Sequence, residues 1–141
     1  MRREEKYPDT STFHFYNANP KGRITTDCVI RAISKAAMIP YADVVMDLAV
    51  RQCATGYDPS EAKAFGSYLE DLGFIKCPQP KKVDGTKYTG REFCKYLERA
   101  NIHNNIVANI GGHHTVAIID CKVVDHWDST DGCIGNYWVR Q

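Results

Sequence analysis

No apolar run in this 141-residue chain approaches the roughly 20 residues that a membrane-crossing helix requires, which excludes a helical integral membrane protein. The opening Met1-Arg2-Arg3-Glu4-Glu5-Lys6 has no apolar stretch behind it, so no secretory signal is read there and a cytoplasmic location is expected. An excess of one charge sign is also missing. Eighteen Lys and Arg stand against 17 Asp and Glu, a formal net charge of +1, and the general electrostatic drive toward nucleic acid or an anionic membrane is absent. The cluster Lys76, Lys81, Lys82 and Lys87 is local, lies around prolines, and reads as a solvated loop. There is no CxxC pair, so the strong form of a zinc signal is lacking. The six cysteines (28, 53, 77, 94, 121 and 133) are irregularly spaced in a chain long enough to build a core, and they read as free thiols. Neither a metal nor an organic cofactor is expected. No internal repeat and no second domain is visible.

What is present is ordinary globular composition, 43% hydrophobic and 25% charged, in a length suited to one domain over residues 1–141. Residues 1–12 are polar and read as a flexible arm. Phe13-His14-Phe15-Tyr16 reads as a short extended segment, and Asn17 to Gly22 as turn and loop. Thr25 or Thr26 is a good helix N-cap with Asp27 in the first turn, and Val29, Ala32, Ile33, Ala36 and Ala37 follow at helical spacing until Pro40. Further helices are expected from about Tyr41 to Cys53, after Pro59-Ser60-Glu61 as far as Gly73, and from the capping box Thr89-Gly90-Arg91-Glu92 onward. Cys77 to Lys82 reads as a loop. Beyond Asn104 the pattern turns to strands: 106–110, 114–120, 123–127 and 137–140, with Cys121-Lys122 as a tight hairpin connection. Helices first and strands second predict an α+β fold, an N-terminal helical half packed on a C-terminal antiparallel β-sheet.

Two segments carry chemistry. Cys28 falls in the first turn of a predicted helix, where the helix dipole favours the thiolate that a nucleophilic cysteine needs. None of the other five cysteines is so placed. Gly111-Gly112-His113-His114 opens a predicted strand, and Asp125-His126-Trp127-Asp128 lies on the next. With the hairpin turn at Asp120-Cys121-Lys122, the pairing sets His114 opposite residues near Asp128, a carboxylate able to orient its imidazole. Asp125 lies nearer the turn and is the weaker candidate. His113 points to the opposite face from His114.

The run Asn17-Ala18-Asn19-Pro20 through Asp27-Cys28-Val29-Ile30-Arg31-Ala32-Ile33, then His114-Thr115-Val116-Ala117-Ile118 and Asp125-His126-Trp127-Asp128-Ser129, resembles small papain-like cysteine peptidases. The resemblance is nearest to short bacterial and phage proteins related to bacteriocin-processing peptidases. It implies a papain-like fold with Cys28 as nucleophile, His114 as general base and Asp128 as orienting residue. It also implies a protein or peptide substrate, with no nucleic acid and no membrane as partner. Two departures stand out. No glutamine lies between Met1 and Cys28 to supply an oxyanion-binding amide, which leaves Asn17 or Asn19 for that role, and Asp27 and Val29 replace the usual neighbours of the cysteine. The expected activity is cleavage of a peptide or isopeptide amide through an acyl-enzyme, and deamidation or acyl transfer can use the same triad. The alternative expectation is a phage or bacterial interaction protein that uses this fold to bind and inhibit a partner.

Overall fold

A computed structural model describes all of residues 1–141. Five helices and six strands follow one another as α1 (Arg3–Lys6), β1 (Phe13–Phe15), α2 (Cys28–Ala37), α3 (Tyr41–Thr55), α4 (Ala62–Asp71), β2 (Phe74–Cys77), α5 (Gly90–Arg99), β3 (Ile106–Ile110), β4 (His114–Ile119), β5 (Lys122–Asp125) and β6 (Ile134–Arg140). The fold is α+β around a single six-stranded sheet in the order β1-β5-β4-β3-β6-β2. No helix is long and apolar enough to cross a membrane.

The sheet differs from the expected C-terminal antiparallel one in two respects. Its central four strands come from the region after Asn104, but the edge strands β1 and β2 both precede α5 in the chain, and β1 runs parallel to β5 with Phe13 beside Val123 and Phe15 beside Asp125. At the other edge β2 pairs antiparallel with β6. The short β2 runs into the Cys77-Pro78 loop, and four residues at a sheet edge carry too little alternation to announce a strand. The arm over residues 1–12 is also tied down. Arg3 Nε donates to the carbonyl of His126 at 2.6 Å, and the carbonyl of Thr12 accepts from Val123 N–H at 2.9 Å.

Side-chain alternation along the central strands divides the core between the two sheet faces. Val107, Ala117 and Trp138 pack with Val29, Ile33, Leu48, Phe65 and Leu69 from α2, α3 and α4. Ile106, Ala108, Ile110, Val116 and Ile118 pack on the other side with Phe93 and Leu97 of α5. Helices therefore cover both faces rather than one. Each fully buried Ile, Leu or Phe contributes about 1.5–3 kcal/mol by leaving water. The capping box at α5 forms as expected, with Thr89 Oγ1 accepting from Glu92 N–H at 3.1 Å and Glu92 Oε1 accepting from Thr89 N–H at 3.0 Å. It seats Gly90 hard against the sheet, where an added Cβ would lie 2.7 Å from Ile110 Cδ1 and 3.1 Å from the Thr130 backbone. Gly90→Ala should lose about 1–3 kcal/mol in urea unfolding despite alanine's better helix propensity, because overpacking outweighs it.

Candidate active site

The site lies at one end of the sheet, where the start of β4 and the end of its antiparallel partner β5 meet the N-terminus of α2. α2 begins at Cys28 itself, its first fully helical residue, so the backbone N–H of Cys28 is among the donors that an α-helix leaves without an internal acceptor. The residue in the N-cap position is Asp27, not Thr25 or Thr26, and its side chain makes no cap bond. It is held elsewhere: its carboxylate accepts from Arg31 Nε at 2.8 Å, from Asn19 Nδ2 at 3.0 Å and from the Tyr41 hydroxyl at 2.6 Å. Burial pushes the pKa of Asp27 up, but these donors outweigh it and bring the carboxyl down to about 2.

His114 Nε2 donates to Asp125 Oδ2 at 2.6 Å. Asp128, expected in that place, instead closes a turn by accepting from Thr130 N–H at 2.9 Å and Thr130 Oγ1 at 2.6 Å. The hairpin explains the correction. Its two-residue turn is Asp120-Cys121, both at positive φ (49° and 63°), one position earlier than the Cys121-Lys122 connection expected. Pairing then runs Ile119 to Lys122, Ile118 to Val123 and Ala117 to Val124, and β5 ends at Asp125 before the ladder reaches Asp128. Continued by one pair, that register puts Asp125 diagonal to His114, within reach of an aspartate and an imidazole. Trp127 packs against the imidazole, with ring centroids 4.9 Å apart and ring planes tilted by 43°.

With Nε2 engaged, Nδ1 is the ring nitrogen left to face Cys28. Burial disfavours the Cys28 thiolate, but the neighbouring His114 imidazole and Thr115 N–H, with the charges of His114 and Arg31, outweigh it and lower the thiol pKa. Burial likewise disfavours imidazolium, yet the bond to Asp125 and the neighbouring Cys28 raise His114 to about 9. Each partner favours the charged form of the other, the condition for a thiolate–imidazolium pair. No other cysteine combines a helix N-terminus with an imidazole, although Cys121 Sγ lies 3.7 Å from His103 Nδ1. Burial pushes Cys94 up to about 12 and Cys121 upward as well.

Arg31 is the residue that sequence reasoning missed. Its guanidinium, 5% exposed, is ion-paired with Asp27 on one side and Asp125 on the other, and so joins the start of α2 to the end of β5. The i,i+4 spacing of Asp27 and Arg31 was a visible signal for the first contact. Nothing in the sequence announced the second, which spans 94 positions.

Neither asparagine is free for an oxyanion. Asn19 Oδ1 accepts from the N–H groups of Lys21 and Arg23 while its amide is held by Asp27, and Asn17 Nδ2 donates to the carbonyl of Arg23 at 3.1 Å. Both shape the loop that delivers Cys28. A cleft of about 570 Å³ opens beside the thiol, bordered by Thr25, Thr26, Asp58, His113 and His126. A second hollow continues past His114 and Trp127 toward Asp128 and Ser129. Comparison with protein-family models, curated proteins and solved structures finds no match for this chain.

Proposed function

We propose that the protein is a papain-like cysteine hydrolase of peptide or isopeptide bonds, with Cys28 as nucleophile, His114 as general base and acid, and Asp125 as the orienting carboxylate. The observation that carries this reading is a cysteine at the first turn of a helix facing a histidine whose far nitrogen is held by a buried aspartate. Thiolate Sγ attacks the carbonyl carbon, forming the S–C bond and moving the carbonyl π pair onto oxygen. Collapse of this intermediate breaks the C–N bond, and the leaving amine takes a proton from His114 Nδ1. Water then attacks the thioester, with His114 now accepting its proton, and releases the acid. The Cys28 N–H is the first oxyanion donor, and the hydroxyls of Thr25 and Thr26 are side-chain donors that border the same cleft. The groove extends to both sides of His114, as an extended chain segment entering and leaving the site requires. Arg31 balances the charge of Asp125, which lets a buried carboxylate hold the imidazole without being protonated itself.

Hydrolysis of a fluorogenic peptide library by the protein and its variants tests the reading. Cys28→Ala should abolish turnover. Asp125→Asn should lower kcat/KM by tenfold or more, and Asp128→Asn should leave it within about twofold. The pH profile should be bell-shaped, its acid limb set by protonation of the thiolate and its alkaline limb near 9, where His114 loses the proton destined for the amine. Turnover that survives Cys28→Ala would refute the assignment.

A further inference from the structure

At the other end of the β4–β5 hairpin, away from Cys28, three side chains of metal-ligand type converge. His103 Nδ1 lies 2.7 Å from Asp120 Oδ1 and 3.7 Å from Cys121 Sγ, and the three ligand atoms fall within 4.8 Å of one another. His103 comes from the loop between α5 and β3, whereas Asp120 and Cys121 are the two central residues of the hairpin turn. Successive strand residues point to opposite faces, but the positive φ of both turn residues brings their side chains toward one histidine.

The second ring nitrogen of His103 is also committed. Asn101 Oδ1 lies 2.9 Å from Nε2 and holds the ring with Nδ1 directed at Asp120 and Cys121, where Nδ1–H donates to Asp120 Oδ1 and gives up that proton when a metal ion takes its place. That outer hydrogen bond is the arrangement by which metal-binding histidines are oriented. Asn101 itself sits at φ 57°, a conformation that asparagine tolerates better than most residues. Around a tetrahedral zinc ion, with bonds of about 2.05 Å to nitrogen and 2.3 Å to sulfur, the N···S edge is about 3.6 Å. The observed 3.7 Å is already close to it. The histidine–aspartate pair must open by about 0.6 Å to admit the ion.

The geometry points to a zinc-binding site made of His103, Asp120 and Cys121, with water as the fourth ligand. Binding forms the Zn–S and Zn–N bonds as the Cys121 S–H and His103 Nδ1–H bonds break and their protons pass to buffer; no electron is transferred. The ion fastens the tip of the hairpin to the α5–β3 loop, bracing the two strands that present His114 and Asp125 at their other ends. This site does not depend on the hydrolase reading.

The test uses the full chain carrying Cys28→Ala, which removes the other thiol–imidazole pair. Zn²⁺ alone, titrated calorimetrically in buffers of different ionisation enthalpy, should bind at one equivalent with release of at least one proton, and should raise Tm. Co²⁺ should give a thiolate-to-metal charge-transfer band and tetrahedral visible absorption. His103→Ala and Cys121→Ser should each weaken binding tenfold or more, and Cys121→Ser should erase the charge-transfer band. Asn101→Gly, which keeps the backbone conformation, should weaken it by about tenfold through the lost orienting bond. His103 is exposed, so its alanine variant should fold even if Cys121→Ser does not. A Co²⁺ spectrum lacking the thiolate band, or Zn²⁺ affinity unchanged by His103→Ala, overturns the assignment.

Discussion

At pH 6, iodoacetamide is expected to alkylate Cys28 on the order of tenfold faster than Cys53 or Cys133, although those two are the exposed thiols. An ordinary cysteine of pKa about 8.5 is only about 0.3% thiolate at that pH, so depressing the pKa raises the reactive fraction by up to about 300-fold. The gain in rate is smaller, because a more acidic thiol makes a weaker nucleophile. His114→Ala removes the neighbouring imidazole and its charge, which favour the thiolate, and should return Cys28 to the reactivity of a half-buried neutral thiol. Asp125→Asn should have a partial effect, since it weakens the imidazolium without removing the ring. Mass spectrometry of the partially labelled protein reads all six sites at once. Equal labelling of Cys28 and Cys133 would sink the ion-pair assignment.

Replacing Arg31 with methionine should destabilise the protein by about 3–5 kcal/mol, the largest effect expected of any single exchange of similar size. The stem packs equally well, so the loss comes from the two carboxylates it abandons. Asp27 keeps its bonds to Tyr41 and Asn19, and Asp125 keeps His114 and the His126 N–H, but both remain buried with their principal counter-ion gone. The pH dependence distinguishes lost charge from lost packing. Asp27 is held at about 2 in the fold against an ordinary value near 3.8, so its stabilising contribution is complete above about 3.8 and disappears as pH falls toward 2. The gap between wild type and Arg31→Met in urea unfolding should therefore narrow across that window. A gap of under 1 kcal/mol at pH 7, or one that does not narrow in acid, would show that the ion pairs of Arg31 with Asp27 and Asp125 contribute little to folding.

The elements legible in the sequence were those with strong local signals. The Thr89/Glu92 capping box, the apolar face of α2, the stop at Gly73 and the alternation of β3 all depend on neighbours within a few positions. The association of Cys28 with His114 was legible for a related reason: both stand at the start of an element, and element starts gather at sheet ends. The third residue was not. Asp125 and Asp128 are three positions apart, and the choice between them turned on where the hairpin turn falls and where β5 stops. A shift of one residue in the turn changes every cross-strand neighbour after it. The asparagines failed for a different reason, since sequence shows that an amide is nearby but not whether a loop has already consumed it.

The sequence by itself determined that this chain builds one α+β unit with a cysteine at a helix N-terminus, because helix starts and strand periods follow from local sterics and burial. Tertiary structure alone decided that Asp125 holds His114, that both sheet edges are strands preceding α5, and that Arg31 is shared between Asp27 and Asp125. Each of these joins residues distant in the chain, and a buried charge acquires its meaning only from the partners that the fold places within about 3 Å of it.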